Sequence, residues 1–188
     1  NGKIIEKNKK LLKKQVSRFI KFDGKEARMI DNVDWLGKVK LIDFLREVGK
    51  YMSVTEMMSK DSVKNRLGRE QGLSYAEFTY QLLQAYDFLE LFGKYNCNVQ
   101  VGGSDQWGNI LQGVELIRKK TGGKVHGLSF PLISDPKTGK KFGKTAEGVA
   151  IWLDRNKTHP FNFYQFLVNV SDDLAPELMR FFSFKTKE

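Results

Sequence analysis

The chain has 188 residues, 40% of them apolar and 12% aromatic, which is enough for one globular domain with a full core and excludes a disordered chain. No apolar run reaches membrane-span length, the single cysteine (Cys97) excludes an internal disulfide, and the two scattered histidines, His126 and His159, offer no zinc-ligand spacing. The net charge of +10 is concentrated early, in Lys3, Lys7, Lys9, Lys10, Lys13, Lys14, Arg18, Lys21 and Lys25, and reads first as a solvated helix face and second as attraction to a polyanion such as nucleic acid.

The sequence opens at Asn1 without an initiator Met or a signal-like stretch, as expected of a segment of a longer protein. Residues 3–22 read as an amphipathic helix with Ile4, Leu11, Leu12, Phe19 and Ile20 on its apolar side. Ala27 to Ile30 is a strand candidate ending at Asp31-Asn32. Leu41 to Val48 predicts a helix stopped by Gly49, and Ser53 to Met58 and Asp61 to Leu67 predict two short ones. Gly68 to Gly72 reads as a loop. Ser74, with Glu77 three residues on, is a capping box before a long helix running to about Phe92 and ended by Gly93. Asn98 to Val101 predicts a strand. The apolar positions Ile110, Leu111, Val114 and Ile117 predict a helix that stops at Gly122. Gly127 to Ile133 and Ala150 to Leu153 are further strand candidates, separated by a turn at Asp135–Gly139. Phe161 to Val170 and Leu174 to Phe184 predict the last helices. Strands separated by helices imply an α/β class with a parallel sheet.

Three constellations carry chemistry. The first is Gly102-Gly103-Ser104-Asp105-Gln106-Trp107-Gly108-Asn109, a strand turning through paired glycines into a helix. Such turns let a ligand approach the backbone and face the free N–H groups of a helix start. A plain capped βα loop is the competing reading of this motif taken alone. The second is Tyr80, Gln84 and Asp87, which fall within about 60° of one another on the long helix at about 100° per residue. Their flanks are so apolar that the helix reads as buried, and buried Asp and Gln need partners. That points to a pocket wall for a small polar ligand; the wet face of an amphipathic helix competes. The third is Lys140-Lys141-Phe142-Gly143-Lys144-Thr145, lysines around a glycine in a loop, suited to phosphate; a solvated basic hairpin competes for this motif taken alone. A Walker A loop needs a glycine five residues before Gly143, where Thr138 stands, so that motif is excluded.

Together these signals resemble the bacterial and organellar tyrosyl-tRNA synthetases, class I aminoacyl-tRNA synthetases, over nearly the whole chain. The resemblance also includes Asp31-Asn32-Val33-Asp34-Trp35 and Ile151-Trp152-Leu153-Asp154, and Asp105-Gln106-Trp107-Gly108-Asn109 is its most specific part. It implies a Rossmann-like parallel sheet with flanking helices, lacking its first strands, followed by the start of a helical domain. Residues 1–160 would form the latter part of the catalytic domain, with a helical dimerisation insertion at about 50–78. Residues 161–188 would begin an anticodon-binding region.

The resemblance also implies roles. Asp87 accepts the tyrosine hydroxyl, Tyr80 and Gln84 hold the α-amino group, and Asn32 lines the side-chain pocket. Gln100 and Gln106 contact the amino acid or its reacting carboxylate, while Gly103 and Asp105 contact the ATP ribose. Lys141, Lys144 and Thr145 form the family's phosphate loop. The expected substrates are tyrosine, ATP with Mg2+, and tRNA(Tyr). A cytoplasmic homodimer is expected, with Tyr75 at its interface, no membrane association and no protein-bound metal. Trp35 and Trp152 read as packing residues. The family's HIGH motif is expected upstream of Asn1, so the chain alone is expected to be inactive. The competing readings are a non-catalytic tRNA- or RNA-binding fragment or degenerate paralogue, and another nucleotide-binding α/β enzyme.

Overall fold

The computed structural model describes residues 2–67, 72–134, 142–143 and 150–184. The chain divides into two compact units, Asp31–Leu132 and the combination of Asn1–Ile30 with Ile133–Glu188.

The unit Asp31–Leu132 contains α2 (Val33–Leu36), α3 (Leu41–Glu47), α4 (Val54–Met58), α5 (Asp61–Leu67), α6 (Tyr75–Tyr95), β1 (Val99–Gly103), α7 (Trp107–Thr121) and β2 (His126–Phe130). Helix α6 starts at the predicted capping box: Ser74 Oγ accepts from Glu77 N, and the Glu77 carboxylate accepts from Ser74 N. The helix does not stop at Gly93. Glu90 and Lys94 form an ion pair across that position at 2.6 Å. Asn96, with φ 53°, then takes the left-handed position usually given to glycine, and its N–H caps the last turn.

Helix α7 lies against α6. Leu82, Ala85 and Leu116 join Phe44, Val48 and Met57 in one buried cluster. Phe88, Ile117 and Val125 form a second. The approach is close at Gly113, where an added Cβ would meet the Phe88 ring at 2.8 Å. Strands β1 and β2 pair in parallel with Val99 opposite His126 and Gly103 opposite Phe130, so β1–α7–β2 is a crossover unit. Both strands are shifted from their expected spans: β1 extends through Gly102 and Gly103, and β2 ends at Phe130. Gly127 brings β2 close to α7, with no room for a Cβ against Ile110.

The other unit contains α1 (Gly2–Val16), α8 (Pro160–Val168) and α9 (Ala175–Phe182). Helix α1 ends six residues before the predicted limit. Ser17 Oγ bonds back to Lys13 O, and tighter three-residue turns follow at Arg18 and Phe19. Its apolar residues Ile4, Ile5 and Leu12 are exposed, and so are Phe19 and Ile20 beyond its end. No strand forms at Ala27–Ile30. Asp23 Oδ1 instead accepts from Lys25 and Glu26 N, and Arg28 donates to Gly24 O, so the segment turns on itself. At Ala150–Leu153 only Ala150 bridges, because Trp152 N turns to the Thr158 hydroxyl. His159 is a loop residue with a task, since its side chain caps α8 by accepting from Phe161 N. Gly68–Gln71 and the Asp135–Gly139 turn lie outside the described residues.

Candidate active site

The polar stripe of α6 meets α2 at Asp87. Asn32 precedes α2 and makes no side-chain cap bond to it, and Trp35 follows one turn later, so both side chains lie on the same side. Asn32 Nδ2 donates to Asp87 Oδ2 at 2.9 Å, and Trp35 Nε1 donates to Asp87 Oδ1 at 2.7 Å. The half-buried carboxylate is thus held at both oxygens. Each oxygen keeps a further lone pair for a ligand hydroxyl. Trp35 is 5% exposed, and Lys94 Nζ stands 5.3 Å over its ring. Sequence reasoning missed this role. A donor three residues after Asn32 was the available signal.

One turn back along α6, Gln84 Oε1 accepts from Asn109 Nδ2 at 3.1 Å. Asn109 also donates to Gln106 Oε1 at 3.4 Å. The α6 stripe and the glycine turn are therefore joined by one carboxamide, which the sequence did not single out. Tyr80 begins the stripe and is 58% exposed, so the stripe runs from open to covered.

Asp105 and Gln106 lie in the 3-10 turn Ser104–Gln106 between β1 and α7. Side chains crowd the backbone at Gly103. An added Cβ would come within 2.8 Å of Asp105 Oδ1 and 2.9 Å of Leu132 Cδ2. The glycine lets the aspartate fold back over the strand end. Gln100, two residues up β1 from Gly102, has a buried Oε1 with no hydrogen-bond partner among the described residues. Such an acceptor is costly unless something bonds to it.

Lys60, also unforeseen, donates to Gly108 O in the first turn of α7 at 2.6 Å. Burial disfavours its charged form and lowers its pKa from 10.5 to about 8, with Glu56 opposing the shift. Tyr75 opens α6 and is 76% exposed. Among the described residues, no three His, Cys, Asp or Glu side chains come together as metal ligands. No described helix is long and apolar enough to cross a membrane.

Lys141, Lys144 and Thr145 lie outside the described residues. Phe142 and Gly143 between them are anchored. Phe142 N donates to Ile133 O at 2.9 Å, and its ring lies 5.2 Å from that of Phe166 in α8. Gly143 has φ 107°, open to glycine, and its carbonyl accepts from Ile151 N at 2.9 Å.

Residues 3–188 match the family model of tRNA synthetases class I (W and Y). The chain is 49% identical over 185 residues to a tyrosine–tRNA ligase of Anaeromyxobacter dehalogenans, covering 98% of this chain and 43% of that protein. It is 52% identical over 176 residues to a tyrosine–tRNA ligase of Streptococcus thermophilus, covering 93% and 41%. A solved C-terminally truncated mitochondrial tyrosyl-tRNA synthetase of Coccidioides posadasii superposes with TM-score 0.70 at 28% identity, covering 94% of this chain and 53% of that one. The chain thus spans less than half the length of the curated relatives it matches. Its β1–α7–β2 crossover is part of the Rossmann-like α/β fold of those structures. The chain belongs to the class I tRNA synthetases of the tryptophan and tyrosine type.

Proposed function

We propose that this chain serves the ATP-dependent activation of tyrosine and its transfer to tRNA(Tyr), in a homodimeric cytoplasmic enzyme. The observation that carries this reading is Asp87, a carboxylate fixed by Asn32 and Trp35 and still able to accept a phenolic hydroxyl. A phenylalanine ring would desolvate that carboxylate without supplying a third donor, and the unmade hydrogen bond costs about 1–3 kcal/mol.

In this reading Asn32 completes the ring pocket, Tyr80 and Gln84 hold the α-amino group, and Gln100 and Gln106 face the carboxylate end. The unpaired Gln100 Oε1 supports a ligand partner on that side. Gly103 and Asp105 take the ribose of ATP. A tyrosine carboxylate oxygen attacks the α-phosphorus, and the bond from that phosphorus to the bridging oxygen of the leaving pyrophosphate breaks. The products are tyrosyl-adenylate and pyrophosphate. Lys141, Lys144 and Thr145 neutralise the charge that builds on the departing phosphates, and Mg2+ arrives with the ATP. Positioning and charge stabilisation carry this step, so the lack of an acid–base histidine or cysteine among these residues is no objection to it. Residues 1–160 then belong to the catalytic domain, with 50–78 and Tyr75 at the dimer contact, and 161–188 lead into an anticodon-binding region.

The test is isotope exchange between pyrophosphate and ATP, catalysed by the native protein that contains this chain. Exchange dependent on tyrosine is expected. Exchange driven by tryptophan and not by tyrosine would overturn the reading.

A further inference from the structure

We infer that Asn109 is a positioning residue that fixes the amide orientation of both Gln84 and Gln106. This deepens, and rests on, the tyrosine-activation reading. A side-chain carboxamide has two N–H hydrogens, and Asn109 Nδ2 lies within reach of two acceptors, Gln84 Oε1 at 3.1 Å and Gln106 Oε1 at 3.4 Å. The two glutamines come from different elements, α6 and the turn before α7. Asn109 itself sits in the first turn of α7. Beside it, Ile110 is fully buried and Lys60 holds the carbonyl of Gly108.

A glutamine amide is two-faced. Its terminal torsion is soft, and a half-turn exchanges oxygen for NH2. An untethered Gln106 could therefore present an oxygen to a substrate carboxylate, which repels it. With its oxygen engaged by Asn109, Gln106 keeps Nε2 as the group offered to the carboxylate. Gln84 Oε1 keeps one lone pair for an ammonium, in a fixed position. One asparagine thus sets the polarity of the two amides that would read the opposite charges of the amino-acid backbone.

The experiment is a mutant cycle read by tyrosine-dependent pyrophosphate exchange in the native protein that contains this chain. Asn109→Asp keeps the shape but turns the donor into an acceptor, and Asn109→Leu removes the donor without adding charge. Each is expected to lower kcat/KM for tyrosine by at least about tenfold, the loss of one to two hydrogen bonds. In a Gln84→Ala/Gln106→Ala background the same changes should cost less than about twofold, because the tethered groups are gone. If exchange in that background is too slow to follow, the tyrosine dissociation constant by equilibrium dialysis reads the same cycle. Full activity of Asn109→Asp, or equal losses in both backgrounds, would overturn the inference and leave tyrosine activation standing. Absence of tyrosine-dependent exchange in the unsubstituted protein would remove the underlying reading and the inference with it.

Discussion

The indole N–H of Trp35 bonds Asp87 Oδ1 at 2.7 Å across 52 residues of sequence. The bond ties a short helix to the middle of α6 and, with that of Asn32, holds both carboxylate oxygens, each of which keeps a lone pair. Trp35→Phe keeps an aromatic ring but deletes the donor. A hydrogen bond to a charged acceptor contributes about 1.5–3 kcal/mol, so unfolding free energy in urea should fall by about 2 kcal/mol. The KM for tyrosine should rise with it. Unchanged stability would mean that the bond contributes nothing.

Lys60 yields a prediction in pH. Its pKa is about 8 in the folded protein because burial strips water from the ammonium. The unfolded chain holds that proton up to the ordinary value of 10.5. Between these limits the unfolded state binds more protons, so the Lys60 contribution to stability rises with pH. The stability difference between wild type and Lys60→Met should be flat from about pH 6 to 7 and should shift toward wild type from about pH 8 to 10. A flat difference throughout would show that the charge is not desolvated.

Gly113 faces Phe88, which is fully buried. Gly113→Ala would gain about 1 kcal/mol of helix propensity. The methyl group would sit 2.8 Å from the ring and 3.1 Å from Phe88 Cβ, an overpacking that costs about 1–3 kcal/mol. Net destabilisation of about 1 kcal/mol is expected in a thermal or urea melt. Stabilisation would mean that α6 and α7 separate more easily than the packing implies.

Local chemistry made much of this fold legible. The Ser74–Glu77 capping box and the Gly122 stop with φ 71° stand where the sequence put them, and the βα turn comes two residues after Gly102, at Ser104–Gln106. The misses have tertiary or local hydrogen-bonding causes. Gly93 signalled a stop, but Asn96 supplied the left-handed residue later. The Ala27–Ile30 pattern suited a strand, yet the Asp23 side chain captured the neighbouring amides first. Trp35 read as packing because its ring dominates its character, and its one polar atom matters only through a partner 52 residues away. Asn109 belongs to the Gly102–Asn109 motif, but its link to Gln84 depends on how α6 meets α7.

The central claim is that Asp87 reads the hydroxyl of tyrosine. It is tested most directly by the ratio of kcat/KM for tyrosine to that for phenylalanine in pyrophosphate exchange, measured for wild type and Asp87→Ala. Removing the carboxylate removes the penalty that phenylalanine meets, so the ratio should fall by at least about tenfold. A ratio unchanged by Asp87→Ala would contradict the account.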